Sequence, residues 1–184
     1  MSTANEKIRP LRQAEEAEVD ALLRAAFPGP EEAGLVRNLR SGGEMVDEIV
    51  LPWQRRIGAY AAISRMVAPE NWFCLAPVAV WPDLQRGAGG TAGEPLHLGS
   101  RLVQRIAEIY ASKEKHAALG GCVGAGPVTL VVLGKRSFYG RAGFSHRRSA
   151  RLISPYPVAF TLILRPGEDL PNETLVYPAA FAGL

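Results

Sequence analysis

The clearest chemical arrangement in this chain lies in the stretch 72–103. An apolar run, Trp72-Phe-Cys-Leu-Ala-Pro-Val-Ala-Val80, leads into Asp83-Leu-Gln-Arg-Gly87, and Leu98-Gly-Ser-Arg-Leu-Val103 follows after a soft insert. A buried strand would fix the turn, glycines would let main-chain N–H groups approach an anion, and a helix N-terminus would add positive potential. That is the order a phosphate cradle needs. Pro77 sits inside the strand, where a residue without an N–H breaks a hydrogen-bond ladder. If the strand parts from its neighbour there, the N–H groups of Val78 and Val80 are free for a ligand. A plain bulge or a strand end is the other reading, and both stay open. Glu44, Asp47 and Glu48 are a second group of interest. They read either as a solvated strand face or as a carboxylate at a substrate mouth, acting as base or as a clamp for an amine. His97 and His146 are lone histidines, a type more often structural or exposed than catalytic.

The elements that must position these residues follow from hydrophobic periodicity. Residues 7–11 suit a short first strand. Residues 14–27 read as a helix with Val19, Leu22, Leu23 and Ala26 on one side and acidic residues near its start, as the helix dipole prefers. Phe27-Pro-Gly-Pro stops it, and a second helix spans 31–40, ending at Ser41-Gly-Gly43. Strands are predicted over 44–51 and 56–66, with Gln54 and Arg55 in the turn and Ile57, Ala59, Ala61 and Ile63 on one face. The unbroken apolar run over 72–81 implies a strand buried on both faces. Residues 98–112 form a helix with Leu102, Val103, Ile106, Ile109 and Tyr110 along its apolar stripe. Residues 113–127 read as a loop. Its glycines at 120–126 do not make a dinucleotide fingerprint, because they follow a helix and precede a strand. Strands are predicted over 128–133, from Gly143-Phe144 and over 158–164, with a short helix or turn over 134–141.

Bulk properties narrow the class. The 184 residues suit one domain, and 47% hydrophobic with 21% charged residues is an ordinary globular composition. The net charge of +3 suits a phosphorylated ligand and does not by itself argue for nucleic acid. Cys74 and Cys122 form no disulfide framework, which points to a reducing compartment. The polar start of the chain is not a signal peptide, and no apolar run approaches a membrane span. A cytoplasmic protein without a membrane partner is expected. His146, Arg147, Arg148 and Arg151 form a basic cluster, most simply a solvated surface. A nucleic-acid role would need aromatic residues interleaved with those charges, and none are present.

The residues also carry a family resemblance. Leu75-Ala-Pro-Val-Ala-Val-Trp-Pro-Asp-Leu-Gln-Arg-Gly87 followed by Leu98-Gly-Ser-Arg-Leu-Val103 resembles the strand, pyrophosphate loop and helix of the GNAT superfamily of acyl-CoA-dependent N-acyltransferases. Val132-Leu-Gly-Lys-Arg-Ser-Phe-Tyr-Gly-Arg-Ala-Gly-Phe144 is similar to that family's segment in which a tyrosine follows the fifth strand. Val176-Tyr-Pro-Ala-Ala-Phe181 is similar to the tail of its YhbS-like branch. The likeness runs, in order, along nearly the whole chain.

The resemblance implies an α/β (α+β) fold in a single domain over 1–184. Its central sheet would be mixed and mostly antiparallel, flanked by helices and splayed between the fourth and fifth strands. Acetyl-CoA would enter the splay as cosubstrate. Its pantetheine would pair with the main chain around Val78, Ala79 and Val80, and its pyrophosphate with Gln85, Arg86, Gly87, Gly99 and Ser100. Arg86 would be the nearest cation, with Arg101 and Arg105 as helpers. A neutral primary amine would attack the thioester, and a donor such as the Val78 N–H would stabilise the oxyanion. Tyr139 would protonate the departing thiolate, since a phenol with a reference pKa of about 10 is protonated at neutral pH; its other reading is core packing beside Phe138 and Phe144. Glu48, with Glu44 behind it, is the weakly indicated base, and water could carry the proton instead. No metal site is expected. The acceptor would be a small-molecule or peptide amine, and the protein a monomer or homodimer.

One departure from the family pattern stands out: an insert at 88–97 in the pyrophosphate loop. Either residues 85–90 form the cradle and the rest bulges outward, or Gln85-Arg86-Gly87 joins Leu98-Gly99-Ser100 across a looped-out insert. Long loops add little closure entropy, so the second is feasible. Glu94 would bring negative charge near the phosphates. The alternative function is therefore a catalytically silent ligand-binding or regulatory module with weakened CoA binding.

Overall fold

Six strands form one sheet in the order of the chain, β1-β2-β3-β4-β5-β6. The structure is a computed structural model that describes residues 7–87, 96–119 and 126–183. The strands are β1 (Arg9–Pro10), β2 (Met45–Trp53), β3 (Arg56–Arg65), β4 (Trp72–Val80), β5 (Thr129–Leu133) and β6 (Thr161–Leu164). Neighbours are antiparallel except β4 and β5, which are parallel. The helices are α1 (Glu16–Ala26), α2 (Glu31–Gly42), α3 (Leu98–Ala111), α4 (Lys113–Ala118) and the short α5 (Arg136–Tyr139).

Alternation along the strands divides the core between two faces. Leu51, Ala59, Ala61, Ile63, Phe73 and Leu75 pack against Leu98, Leu102, Val103 and Ile106 of α3. On the opposite face, Val50, Tyr60, Ala62 and Ala79 meet Val19, Leu22 and Leu23 of α1 and Val36 of α2. Further along that face, Trp72, Cys74, Val131 and Ile163 are covered by Leu35 and Leu39 of α2 and by Leu175, Tyr177 and Phe181 near the C-terminal end. α2 ends at Gly43, whose φ of 79° is a left-handed conformation that glycine adopts without penalty.

Three register shifts bend this sheet. Leu51 pairs with Ala59 while Pro52 pairs with Ile57, so Gly58 is an extra residue on β3. This corrects one expectation. Ile57 does not share a face with Ala59, Ala61 and Ile63; the bulge turns it to the α1 side. A β-carbon at Gly58 would stand 2.6 Å from Trp53 Cβ and 2.9 Å from Leu98 Cδ1, so only glycine lets the start of α3 lie this close. A second shift lies on β2 between Met45 and Asp47. The third lies on β4, where Ala61 pairs with Val78 and Ile63 with Leu75, leaving Ala76 and Pro77 as the bulge.

Pro77 therefore occupies a position where no ladder N–H is required. The pairing of β4 with β5 stops earlier still, after Trp72↔Thr129, Phe73↔Leu130 and Cys74↔Val131. Beyond Cys74 the two strands part, while β4 stays paired with β3 and β5 with β6. Both readings of Pro77 hold together: a bulge toward β3 and a splay toward β5.

Elsewhere two expectations change. α4 occupies part of the predicted loop, started by the Ser112 hydroxyl accepting the Lys115 N–H at 3.2 Å. The strand expected from Phe144 is reduced to a bridge of Ser145 with Ile163, and 3₁₀ turns at Arg147–Ser149 and Val158–Phe160 replace the remainder. Most of the glycine-rich connector at 120–126, and Cys122 within it, lie outside the described residues, as do Glu94 and most of the 88–97 insert. No described helix is long and apolar enough to cross a membrane.

Candidate active site

A cavity of about 470 Å³ opens where β4 and β5 part, on the α3 face. Val78, Val80, Leu84, Leu98 and Phe138 give it apolar walls; Gln85, Arg86, His97, Gly99, Ser100, Tyr139 and Arg141 supply its polar rim. The two sides of the loop arrive by different means. After β4, the turn Pro82–Gly87 folds back on the strand end, with Gln85 Nε2 donating to the Val80 carbonyl at 3.0 Å. Arg86 then takes a left-handed conformation at φ 54°. His97, on the far side of the insert, is also left-handed at φ 45° and opens α3 without a side-chain cap. Such positions cost about 1–3 kcal/mol each for residues other than glycine and cluster at ligand sites.

The first in-helix bond of α3 runs from the Arg101 N–H to the His97 carbonyl at 3.0 Å. The N–H groups of Leu98, Gly99 and Ser100 precede it and have no partner within the helix. They stand at the rim beside Gln85 and Arg86, with Arg141 opposite. Among the described residues of the lining, the charged side chains are the two guanidinium groups of Arg86 and Arg141, and none carries a carboxylate. A β-carbon at Gly99 would come within 3.2 Å of Val80 Cγ2 and 3.5 Å of Phe138 Cζ, narrowing the gap between helix and strand. The group that fits such a rim is a phosphate or pyrophosphate on a long apolar stem.

Tyr139 closes the inner end. Its ring lies against Gly134, where a β-carbon would be 2.4 Å from Tyr139 Cε2, and sits edge-on to Phe138 at 4.9 Å and to Phe144 at 5.8 Å. Burial, with a smaller contribution from Cys74, pushes its phenol up to about 12, so the hydroxyl keeps its proton. Tyr139 and Val78 also line a second cavity, of about 330 Å³, on the opposite face. Phe27 and Glu32 at the α1–α2 junction, Leu35, Cys74, Pro77, Tyr156, Tyr177 and Phe181 complete much of its wall. Val78 and Tyr139 thus line cavities on both faces of the sheet at the splay.

Of the residues predicted from sequence, Val78, Val80, Gln85, Arg86, Gly99, Ser100 and Tyr139 meet around the first cavity. The cavity brings Gln85 and Arg86 beside Leu98, Gly99 and Ser100, while most of the insert that separates them in sequence lies outside the described residues. Gly87 ends the turn. Ala79 differs: its side chain is buried on the α1 face, between Val78 and Val80. Glu48, expected as a base at the substrate mouth, lies away from this site. It lines neither cavity and accepts from Arg40 Nε at 2.9 Å, Arg40 Nη2 at 2.6 Å and Tyr60 Oη at 2.6 Å. A carboxylate saturated in this way braces α2 against the sheet. Asp47 is bound by the Tyr110 hydroxyl and the Lys115 ammonium, and Arg105 pairs with Glu108 at 2.9 Å. The basic cluster is not one surface. Arg148 is buried and donates to the carbonyls of Arg165, Pro166 and Asp169, and to the Asp169 carboxylate.

Sequence reasoning missed Arg141, Glu32, Tyr156 and Tyr177. Arg141 carried a usable signal, two residues after the singled-out Tyr139. Tyr177 lay inside the singled-out tail 176–181 but had no role assigned there, and Glu32 and Tyr156 carried no signal, because only the fold brings their segments together.

No protein-family model and no curated protein matches this chain. Solved structures do. The chain is similar to the GNAT family N-acetyltransferase YhbS from Escherichia coli, a complex with CoA, at 23% identity and a TM-score of 0.71 over 98% of this chain and 94% of that one. A GNAT family acetyltransferase from Brucella melitensis in complex with acetyl-CoA is 26% identical, with a TM-score of 0.64 over 95% of this chain and 97% of that one. A third GNAT-family protein, from Desulfovibrio desulfuricans, is 22% identical with a TM-score of 0.56 over 86% and 96% of the respective chains. A mixed sheet opened between its fourth and fifth strands, matched along nearly its full length by these structures, gives this chain the fold of the GNAT family N-acetyltransferases.

Proposed function

We propose that this protein is an N-acyltransferase that moves an acetyl group from acetyl-CoA to a primary amine. The observation that carries the proposal is the pair of cavities meeting at Val78 and Tyr139. One has a cationic rim and an uncapped helix start, suited to a CoA pyrophosphate. The other is the route for the amine. Both of the two most similar relatives described above are complexes with CoA or acetyl-CoA, which supports this division.

Acetyl-CoA supplies a thioester carbonyl open to a neutral amine and a sulfur able to leave. The chain supplies the surroundings. Arg86, Arg141 and the N–H groups at Leu98, Gly99 and Ser100 hold the pyrophosphate. Beyond Cys74 the main chain of β4 lacks a β5 partner, so its outward groups are available to the pantetheine, with the Val78 N–H as donor to the oxyanion. Tyr139 holds a proton at Oη and gives it to the leaving sulfur. The ammonium proton leaves through water, since Glu48 is bound elsewhere. The same reading has the protein act in the cytoplasm, as a monomer or homodimer, on a small-molecule or peptide amine.

Calorimetric titration of acetyl-CoA into the wild type and an Arg86→Ala variant is the test. Micromolar binding, worth about 8 kcal/mol, that weakens in the variant is expected. Absence of heat at several protein concentrations would overturn the transferase reading and favour a silent module whose insert has closed the cradle.

A further inference from the structure

The second cavity has a chemistry of its own. Its walls are largely apolar and aromatic: Phe27, Leu35, Pro77, Leu133 and Phe181, with the rings of Tyr156 and Tyr177. Tyr156 and Tyr177 meet edge-on at 4.9 Å, and Tyr177 lies 5.4 Å from Phe181, so these rings form one rigid wall. Charge is sparse. Among the described residues of the lining, Glu32, half-buried in the first turn of α2, is the one charged side chain, and no cation accompanies it there. Tyr177 adds a second polar feature: the residue is only 9% exposed, and its hydroxyl has no hydrogen-bond partner. The Ser154 side chain lies near enough to favour the ionised form of the phenol, but the geometry falls short of a hydrogen bond. A buried, unpaired hydroxyl is costly, and a ligand atom that pairs with it removes that cost. Tyr156 differs, since its hydroxyl already donates to the Phe181 carbonyl at 3.0 Å.

We infer that the acceptor is a compact, apolar primary amine with a single positive charge, of the arylalkyl type, whose ammonium pairs with Glu32 and whose polar substituent meets the Tyr177 hydroxyl. The inference rests on the acyl-transfer reading for the chemistry that follows binding, but not for the binding itself. A polyamine would bring several charges to one carboxylate. An anionic amino acid would need a cation, and Arg86 and Arg141 are in the other cavity. A polyhydroxylated polycation would leave most of its polar groups facing apolar walls. A lysine side chain shares the ammonium but offers only a thin methylene stem to an aromatic wall.

The test measures binding of 2-phenylethylamine, tyramine, 2-phenylethanol, spermidine and Nα-acetyl-lysine amide, without any thioester, to the wild type, Glu32→Gln and Tyr177→Phe. Expected are at least tenfold tighter binding of 2-phenylethylamine than of spermidine or the lysine amide, and tighter binding of the amine than of 2-phenylethanol. Glu32→Gln should erase the preference for amine over alcohol, a charge-specific loss that simple loosening of α2 would not produce. Tyr177→Phe should remove the extra affinity of tyramine and leave 2-phenylethylamine unchanged. Tighter binding of spermidine or of the lysine amide, or an unaltered preference in Glu32→Gln, would overturn the inference. Acetyl-CoA titrated in parallel separates the two claims. Amine binding without acetyl-CoA binding sinks the transferase reading alone, and acetyl-CoA turnover only on polyamines sinks this one alone.

Discussion

The two cavities on either side of the splay recognise by different physics. On the α3 face, recognition rests on the backbone: an uncapped helix start, a turn with Arg86 left-handed, and an unpaired strand edge, reinforced by Arg86 and Arg141. On the α2 face it rests on side chains, an aromatic wall with one carboxylate and one unpaired phenol. A backbone site can be shared by many chains with different sequences, because any residue supplies an N–H. A side-chain site is particular to its own chain. On the proposed reading the difference places specificity: a cradle built from backbone needs no particular side chains, whereas the aromatic side sets what this chain would select.

Tyr139 belongs to both cavities, and its replacement breaks the comparison most severely. Tyr139→Phe keeps the ring against Gly134, Phe138 and Phe144 and removes only the hydroxyl. We expect kcat to fall about 10²-fold or more, the usual scale for a general acid, with acetyl-CoA affinity unchanged. Steady-state kinetics with parallel calorimetry checks this, and an unchanged kcat would reduce Tyr139 to packing. Glu48 is the contrasting case, a carboxylate in neither cavity. Breaking a buried pair costs about 3–5 kcal/mol, and Glu48 is 15% exposed while Arg40 keeps a contact with Glu16 at 3.4 Å. Glu48→Gln should therefore destabilise by about 2 kcal/mol, lowering Tm by about 4–8 °C, with kcat little altered. A large loss of kcat in a variant of normal Tm would restore Glu48 as a base.

The same contrast explains what the sequence disclosed. The phosphate side was legible because its parts are nearly contiguous: Val78, Val80, Gln85, Arg86, Gly99 and Ser100 lie on one strand, one turn and one helix start. The strands and long helices were legible for a related reason, since each has a strong period of its own. Ile57 was misassigned because Gly58 adds one residue to β3, and period-two alternation cannot survive a bulge. Glu48 looked available because its partners Arg40 and Tyr60 come from separate elements. The aromatic cavity was hidden altogether, being assembled from residues as far apart as Phe27 and Phe181. No local pattern encodes that meeting; only the sheet order does.

Smaller effects sharpen the distinction. Arg86→Ala and Arg141→Ala should each weaken acetyl-CoA about tenfold, the lower end for hydrogen bonds to a charged group, and the loss should shrink as salt rises. Neither should alter binding of a free amine. Calorimetry at two ionic strengths distinguishes this from general damage: an arginine whose loss weakened amine and acetyl-CoA alike would show that the cavities are not independent.

The last effect is the smallest near neutrality and concerns the buried thiol and phenol groups. Burial pushes Cys74 up to about 12 from its ordinary value near 9, and Tyr139 up to about 12 from 10; Tyr60, Tyr110 and Tyr177 are raised too, first by burial. All are neutral in the fold, and the unfolded chain releases their protons at the ordinary values. Raised values mean stability that is complete below about pH 9 and is lost as pH climbs toward 12. Cys74 alone should account for a loss of about 1 kcal/mol by pH 10, since one pH unit corresponds to 1.36 kcal/mol. Denaturant midpoints measured from pH 7 to 11 should be level to about 9 and then decline. In Cys74→Ala the decline should begin about one unit higher, where phenols take over. An onset that stays at pH 9 in that variant would show that the thiol is not the group being held neutral.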